Sequence, residues 1–263
     1  MSKLGGKAML LAVDIGNTNV TFGIFEDSEL RVTWRLATNI NQMADEYATF
    51  LLNLLHHHKL DISDIKEIAL CCVVPPLLST FEELFERYFH ASPLVIGPGI
   101  KTGVRIRMDN PREVGTDRIV NAAAAHHLYT GPVIIADIGT ATTFDTVSKE
   151  GDYLGGAIAP GIATSAEALF ARAAALPRIE LVHPEQAIGT STIAAMQSGI
   201  VFGYVGLVDG MVSRIQQELG GKAVVVATGG YAGLIAGETA VIDKVNLDLT
   251  LVGLRLVYQM NKV

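Results

Sequence analysis

The sequence is poor in cysteine, with only two among its 263 residues, and these two, Cys71 and Cys72, are neighbours. Neighbouring cysteines rarely bond to each other, so the disulfide framework typical of small secreted domains is excluded. The sequence also lacks the spaced cysteine pairs of a zinc site. This cysteine content predicts a protein of the reducing cytoplasm.

A long apolar run near the N-terminus and clusters of positive charge are missing too. The apolar stretch after Lys7 ends at Val13, before Asp14, which is too short for a signal peptide or a membrane span. We therefore interpret residues 1–8 as a flexible tail and expect no membrane partner. The formal net charge is -7 and no Lys/Arg-rich segment occurs, which argues against nucleic acid as a partner.

The composition favours a folded chain rather than a disordered one. Hydrophobic residues make up 49% and charged residues 18% of the sequence, which is enough to build a packed core. The length allows one large domain or two smaller ones.

An internal repeat favours two domains. Residues 10–22 read LLAVDIGNTNVTF, and residues 133–145 read VIIADIGTATTFD. Each copy has an apolar run, then Asp-Ile-Gly, then small polar and β-branched residues, which predicts a hairpin of two strands around a tight turn. The repeat predicts two similar α/β lobes, residues 9–130 and 131–263, with Asp14 and Asp137 at equivalent turns facing one nucleotide cleft.

Apolar spacing predicts further elements in both halves. Ile68–Val74 and Ala223–Ala227 are short apolar runs typical of buried strands. A long helix is predicted from Thr190 to Leu219, with Thr190 and Ser191 as candidate caps. A last helix is predicted over Val245–Met260.

The two Asp-Ile-Gly turns are the first candidate for chemistry. Turn N–H groups with Asn and Thr side chains can hold phosphate oxygens, and a carboxylate at a strand end can hold Mg²⁺, usually through water. One copy alone would be explained equally well as an Asx-type turn. The second copy favours a nucleotide site, although no Walker A string is present.

The second candidate is Gly115-Thr116-Asp117-Arg118, which precedes an Ala-rich helical stretch. Asp117 could accept a hydroxyl proton and Arg118 could hold a carboxylate with two hydrogen bonds. The alternative is that Asp117 only stabilises the first turn of a helix, and the residues alone favour that alternative. The histidines at positions 56–58 point in different directions on a helix, so we interpret them as a solvated helix end rather than a metal site.

With these motifs assembled, the chain resembles type III pantothenate kinases, members of the superfamily of acetate and sugar kinases, heat-shock proteins and actin. The resemblance runs from about Met9 to the C-terminus. It rests on an ordered set of motifs: Asp14–Asn19, Cys72–Pro75, Asp109–Arg118, Asp137–Thr142, Gly155-Gly156, Pro160-Gly161, Leu176–Arg178 and Met196–Gly199. It implies a duplicated actin-like, ribonuclease H-like fold in which each lobe has a mixed sheet and flanking helices.

The resemblance also implies an activity and roles for residues. The reaction is the ATP-dependent phosphorylation of pantothenate, with Mg²⁺ and a monovalent cation, K⁺ or NH₄⁺, in a homodimer. Asp117 is the implied catalytic base and Asp137 the implied monovalent-cation ligand, whereas Asp14 is a candidate Mg²⁺ ligand because of its carboxylate at a strand end. The implied pantothenate-binding residues are Gly115, Thr116, Asp117, Arg118 and Thr192. The implied ATP-binding residues are Asp14, Ile15, Gly16, Asn17, Thr18, Asn19, Val20, Thr21 and Thr140.

The chain departs from the family pattern at Met108, where many relatives carry a tyrosine before the Asp-Asn-Pro string. The first loop, Asp14–Thr21, also holds no Lys or Arg, so phosphate charge would be neutralised by metal ions and backbone amides. Two alternatives stay open. One is another small-molecule kinase of this fold; the other is a non-enzymatic regulator related to Bvg accessory factors.

Overall fold

A computed structural model describes residues 8–262, and contacts within the chain divide it into two compact units. The first unit contains the chain up to Gly103, Arg112–Val120 and the chain from Thr250 onward. The second contains Val104–Pro111 and Asn121–Leu249. Except for Ala8, the predicted tail lies outside the described residues, and the predicted domain boundary near residue 130 stays a prediction.

The first unit is built on a five-stranded mixed sheet with strand order β3-β2-β1-β4-β5. Two helices, α1 (Ala44–His57) and α2 (Pro75–Leu84), connect its strands, and α2 begins where two prolines occupy its first turn. The strands are β1 (Met9–Ile15), β2 (Asn19–Glu26), β3 (Glu29–Ala37), β4 (Ile65–Cys72) and β5 (Leu94–Val95).

The second unit is built on a six-stranded sheet with strand order β11-β10-β7-β8-β9-β6. Its strands are β6 (Arg105–Ile106), β7 (Val133–Ile138), β8 (Ala141–Val147), β9 (Asp152–Pro160), β10 (Val224–Thr228) and β11 (Lys244–Val245). Its helices are α4 (Ile162–Arg172), α5 (Thr192–Glu218) and α6 (Ala232–Ala236). Two further helices contribute residues to both units: α3 (Thr116–Leu128) and α7 (Leu249–Asn261).

The two sheets share one topology. In the first, β1 pairs antiparallel with β2 and parallel with β4; in the second, β7 pairs antiparallel with β8 and parallel with β10. The order β9-β8-β7-β10-β11 repeats β3-β2-β1-β4-β5, and β6 adds one edge strand. The predicted duplication of an α/β lobe is therefore confirmed.

Each unit has its own apolar core. In the first, fully buried aromatic residues from β2, α1 and α2 pack together, including Phe22, Tyr47 and Phe81. In the second, one face of α5 packs with β7, β8 and β10, with Val201, Val208 and Val212 buried. Rings and β-branched side chains of this size bury enough apolar surface to hold the strand ends in place.

The structure tests the predicted helix ends. Ser191 caps α5 as predicted, because its hydroxyl accepts a hydrogen bond from the amide of Ala194 at 3.2 Å. The prediction of one helix over Val245–Met260 is wrong at its start. Val245 ends the edge strand β11, the side chain of Asn246 accepts a hydrogen bond from the amide of Asp248, and α7 begins only at Leu249.

Candidate active site

The first Asp-Ile-Gly hairpin presents an open, polar turn. The amide of Gly16 donates to the carbonyl of Asn19 at 3.0 Å, and the Thr38 hydroxyl donates to the carbonyl of Gly16 at 2.6 Å. The side chains of Asn17, Thr18 and Asn19 are exposed. Such a turn can present amides and polar side chains to phosphate oxygens.

Two residues predicted to bind ATP in this loop are core residues. Ile15 and Val20 are paired across the hairpin and both are 0% exposed. Their side chains are packed inside the first unit, so any contact with a nucleotide would have to use their backbone.

Asp14 lies at the end of β1, where it is paired with Cys71 of the parallel strand β4. The Cys71 side chain is fully buried, and its thiol donates to the Thr116 hydroxyl, with 3.3 Å between Sγ and Oγ1. Thr116 Oγ1 in turn donates to the carbonyl of Cys72 at 3.4 Å. Because Thr116 is the first residue of α3, these bonds attach the start of that helix to the end of β4.

The Asp117 carboxylate is folded back over the backbone that precedes α3. Its Oδ1 accepts a hydrogen bond from the Arg118 amide at 2.8 Å. A Cβ built on Gly115 would lie 2.5 Å from that same Oδ1, so a larger residue at this position would require the carboxylate to move. Asp117 and Arg118 are half-buried, and they stand at the N-terminal end of α3, where a negative charge is favoured.

Two carboxylates affect the pKa of the Cys71 thiol. Burial raises the pKa of Cys71 well above its ordinary value, and the carboxylates of Asp14 and Asp117 raise this pKa further, against a smaller lowering by the Thr116 hydrogen bond. The thiol is therefore neutral at physiological pH. Within the first unit, the structure thus brings Asp14 and Asp117 around one buried, uncharged side chain.

The second hairpin holds Asp137 in a tight cradle. Asn121, which is 1% exposed, donates its side-chain amide to Asp137 Oδ2 at 3.4 Å. On the other side, a Cβ on Gly229 would lie 2.5 Å from Asp137 Oδ1, and Gly229 has a φ of 90°, which favours glycine. The Asn121 amide is neutral, so this hydrogen bond does not cancel the negative charge of the Asp137 carboxylate.

The remaining predicted residues of the second unit lie at element ends. Thr140 is exposed in the second hairpin turn, and its carbonyl accepts hydrogen bonds from the Thr164 hydroxyl at 2.8 Å and the Gly161 amide at 3.1 Å. Thr192 is exposed at the first position of α5.

The carboxylates suit a metal ion that is shared with a substrate. Among residues 8–262, no three His, Cys, Asp or Glu side chains cluster as a metal site. Mg²⁺ accepts this arrangement, because it usually binds through one or two carboxylates, water and substrate phosphates. Asp14 at a strand end and Asp137 in its glycine cradle therefore fit ions held jointly with a nucleotide.

Sequence reasoning missed two residues that organise the site. The sequence suggests Cys71 only as a disulfide or zinc candidate, because its contact with Thr116 joins residues distant in sequence. Asn121 had a usable signal, since it follows Asp117 by four residues and so lies on the same side of a helix.

A cavity of about 290 Å³ lies elsewhere in the first unit, between β1, β2 and α7. Its charged residues are engaged with neighbours: Lys262 pairs with Glu67, and Arg255 lies over the Phe25 ring and donates to Gln259. None of the predicted site residues lines this cavity.

Comparison with known proteins decides the family. A model of type III pantothenate kinases matches residues 10–214. A type III pantothenate kinase from Dehalococcoides mccartyi is 60% identical over 263 residues, which is 100% of both chains. This chain belongs to the type III pantothenate kinase family. Membership identifies it as a kinase and implies ATP and a divalent metal ion.

Solved structures show that the family fold is shared more widely. A polyphosphate/ATP-glucomannokinase from Arthrobacter sp. strain KM aligns with a TM-score of 0.52 at 12% identity, over 97% of this chain and 100% of that one. A Baf family transcriptional activator from Campylobacter jejuni aligns with a TM-score of 0.60 at 20% identity, over 95% and 98%. Together with the two mixed sheets, these similarities confirm the predicted fold of two duplicated α/β lobes.

Proposed function

We propose that this chain transfers the γ-phosphate of ATP to the terminal hydroxyl of pantothenate, the first step of coenzyme A synthesis, in the cytoplasm. Family membership supports the reaction. The observation that carries the proposal is the start of α3, where the Asp117 carboxylate is held over Gly115 and next to Arg118. A carboxylate at this position can accept the proton of an acceptor hydroxyl.

Asp117 is proposed to accept the hydrogen bond of the pantothenate hydroxyl and then its proton. Phosphoryl transfer passes through a loose transition state in most analyses, so placing this hydroxyl matters as much as deprotonating it. Arg118 would hold the pantothenate carboxylate, since a guanidinium makes two parallel hydrogen bonds to such a group. Thr116 and Thr192 would complete the pantothenate site.

The nucleotide side depends on amides and ions. The loop Asp14–Thr21 would hold ATP phosphates through its turn amides and through Asn17 and Thr18, with Thr140 as a further contact. Because this loop contains no Lys or Arg, bound cations would supply the charge neutralisation. Asp14 would hold Mg²⁺ through water, and Asp137 would hold the monovalent cation.

The assay that tests the function compares acceptors. Purified protein with ATP, Mg²⁺ and K⁺ is expected to phosphorylate pantothenate and to leave glucose, mannose and acetate unchanged, as followed by ADP release and product mass. Phosphorylation of a sugar in preference to pantothenate would favour another kinase of this fold. No transfer to any acceptor would favour a regulator.

We expect the reaction to need K⁺ or NH₄⁺. A carboxylate beside the ATP phosphates would repel them unless a cation lies between, and the neutral Asn121 amide does not cancel the charge of Asp137. Rates measured in K⁺ and in Na⁺ at equal ionic strength should differ by at least about tenfold. Asp137→Asn should remove most of this difference, whereas Asp45→Asn on α1 should keep it. Equal rates in the two buffers would contradict the assigned role.

We also expect a homodimer that uses α5. Four glycines at helical spacing on this helix, Gly199, Gly203, Gly206 and Gly210, are exposed, and a Cβ on any of them would meet nothing within 4 Å. Exposed apolar side chains accompany them in the second unit, with Ile193 49% and Ile158 66% exposed. Faces of this kind are suited to a symmetric interface.

The dimer is tested by light scattering. The unaltered chain should have twice the monomer mass, and Gly206→Glu should shift it toward monomer, because a charge would be buried in the interface. Gln217→Glu, at an exposed position near the end of α5, should leave the mass unchanged. A monomer at assay concentrations would contradict the proposal.

The same helix is long and apolar enough to cross a bilayer by length and composition, and 33% of its most apolar window is buried in the protein. Core helices of soluble proteins meet the same criterion, so this property is weak evidence for a membrane. We propose that the protein has neither a membrane nor a nucleic acid as a partner.

A further inference from the structure

The Cys71 thiol begins a short chain of hydrogen bonds inside the first unit. Its Sγ donates to Thr116 Oγ1 at 3.3 Å, and Thr116 Oγ1 donates to the Cys72 carbonyl at 3.4 Å. Cys71 is 0% exposed and Thr116 is half-buried. In such a chain each bond polarises the next, so removing the first donor weakens the second bond as well.

These bonds connect α3, which carries Asp117, to β4, which is paired with the strand that carries Asp14. Cys71 is paired in the sheet with Asp14, and Thr116 is the residue before Asp117. The thiol therefore lies where the end of β4 meets the start of α3, next to β1, the strand that carries Asp14. A shift of α3 at this point would move Asp117 with it.

We propose that Cys71 is a positioning residue for phosphoryl transfer, whose hydrogen bond to Thr116 holds the start of α3 against β4 and thereby sets Asp117 for the acceptor hydroxyl. The inference rests on the proposed function, because it assigns Cys71 to the same site. Cys71 acts through Thr116 and touches neither substrate.

The chemistry of the side chain fits this position. The carboxylates of Asp14 and Asp117 both act electrostatically on Cys71, so a negatively charged side chain at this position would be repelled. A positively charged side chain would neutralise the carboxylates that are proposed to bind a metal ion and to accept a proton. A thiol is small, remains uncharged here, and still donates one hydrogen bond. Valine lacks the donor and is about one methyl group larger, whereas serine keeps a hydrogen-bond donor in a side chain of the same length.

The experiment compares four proteins: the unaltered chain, Cys71→Val, Cys71→Ser and the control Cys72→Val. Cys72 is the neighbouring half-buried thiol, and its Sγ donates to the Val74 carbonyl rather than to α3. Cys71→Val is expected to lower kcat/KM for pantothenate about tenfold with less than a twofold change in the ATP KM. Cys71→Ser should recover activity to within about threefold, and Cys72→Val should match the unaltered chain.

A second measurement does not depend on activity. Hydrogen–deuterium exchange of the amides at the start of α3, residues 116–120, should be faster in Cys71→Val than in Cys71→Ser or Cys72→Val. Equal exchange in the variants, or a Cys71→Val enzyme with unchanged pantothenate kinetics, would overturn the inference while leaving the proposed function standing. If the unaltered chain does not phosphorylate pantothenate, the proposed function fails, and the role of Cys71 in phosphoryl transfer fails with it.

Discussion

Asp117→Asn is expected to lower kcat by at least about 100-fold while leaving ATP binding nearly unchanged. Asparagine keeps the size of the side chain and can still accept from the Arg118 amide, but it cannot take a proton from the acceptor hydroxyl. The loss would therefore appear in the chemical step. Steady-state kinetics give kcat, and calorimetric titration with ATP gives the binding constant.

The matched control for this variant is Asp45→Asn. Asp45 is also a carboxylate in the first turn of a helix, α1, where it pairs with Arg87 at 2.9 Å. A residue that only stabilises a helix start contributes about 0.3–1 kcal/mol to folding and nothing to turnover. If Asp117→Asn behaved like Asp45→Asn, with normal kcat and a slightly lower Tm, the base assignment would be wrong.

Gly115→Ala is expected to lower kcat about 10- to 100-fold without unfolding the protein. The new Cβ would lie 2.5 Å from Asp117 Oδ1, closer than real carbon–oxygen contacts, so the carboxylate would have to rotate away from its present position. Gly115 does not have a positive φ, so alanine can adopt its backbone conformation without strain. The substitution therefore tests the position of the Asp117 carboxylate.

Gly221→Ala provides the comparison for Gly115→Ala. Gly221 is exposed, and a Cβ there would meet nothing within 4 Å. Its kcat and Tm should equal those of the unaltered chain, whereas Gly115→Ala should keep its Tm within a few degrees and lose turnover. A fully active Gly115→Ala enzyme would show that Asp117 does not work from the position that the structure gives it.

The repeated hairpin was predictable because its signals are local. An apolar run, the Asp-Ile-Gly turn and β-branched residues lie within about a dozen positions of one another. They predict the hairpin in which Asp14 pairs with Thr21 and Asp137 pairs with Thr143. The error at α7 has the opposite cause. Val245 is apolar and close to a helical pattern, but pairing with β10 places it in a strand.

The sequence by itself determined the duplicated lobe, the hairpin turns that follow Asp14 and Asp137, and the place of Asp117 at the start of a helix. Each depends on neighbours along the chain. The tertiary structure alone decided that a thiol of β4 reaches Thr116, that Asn121 reaches Asp137, and that Ile15 and Val20 turn into the core. These contacts join residues brought together only when strands and helices pack, and no local propensity specifies which distant side chains then meet.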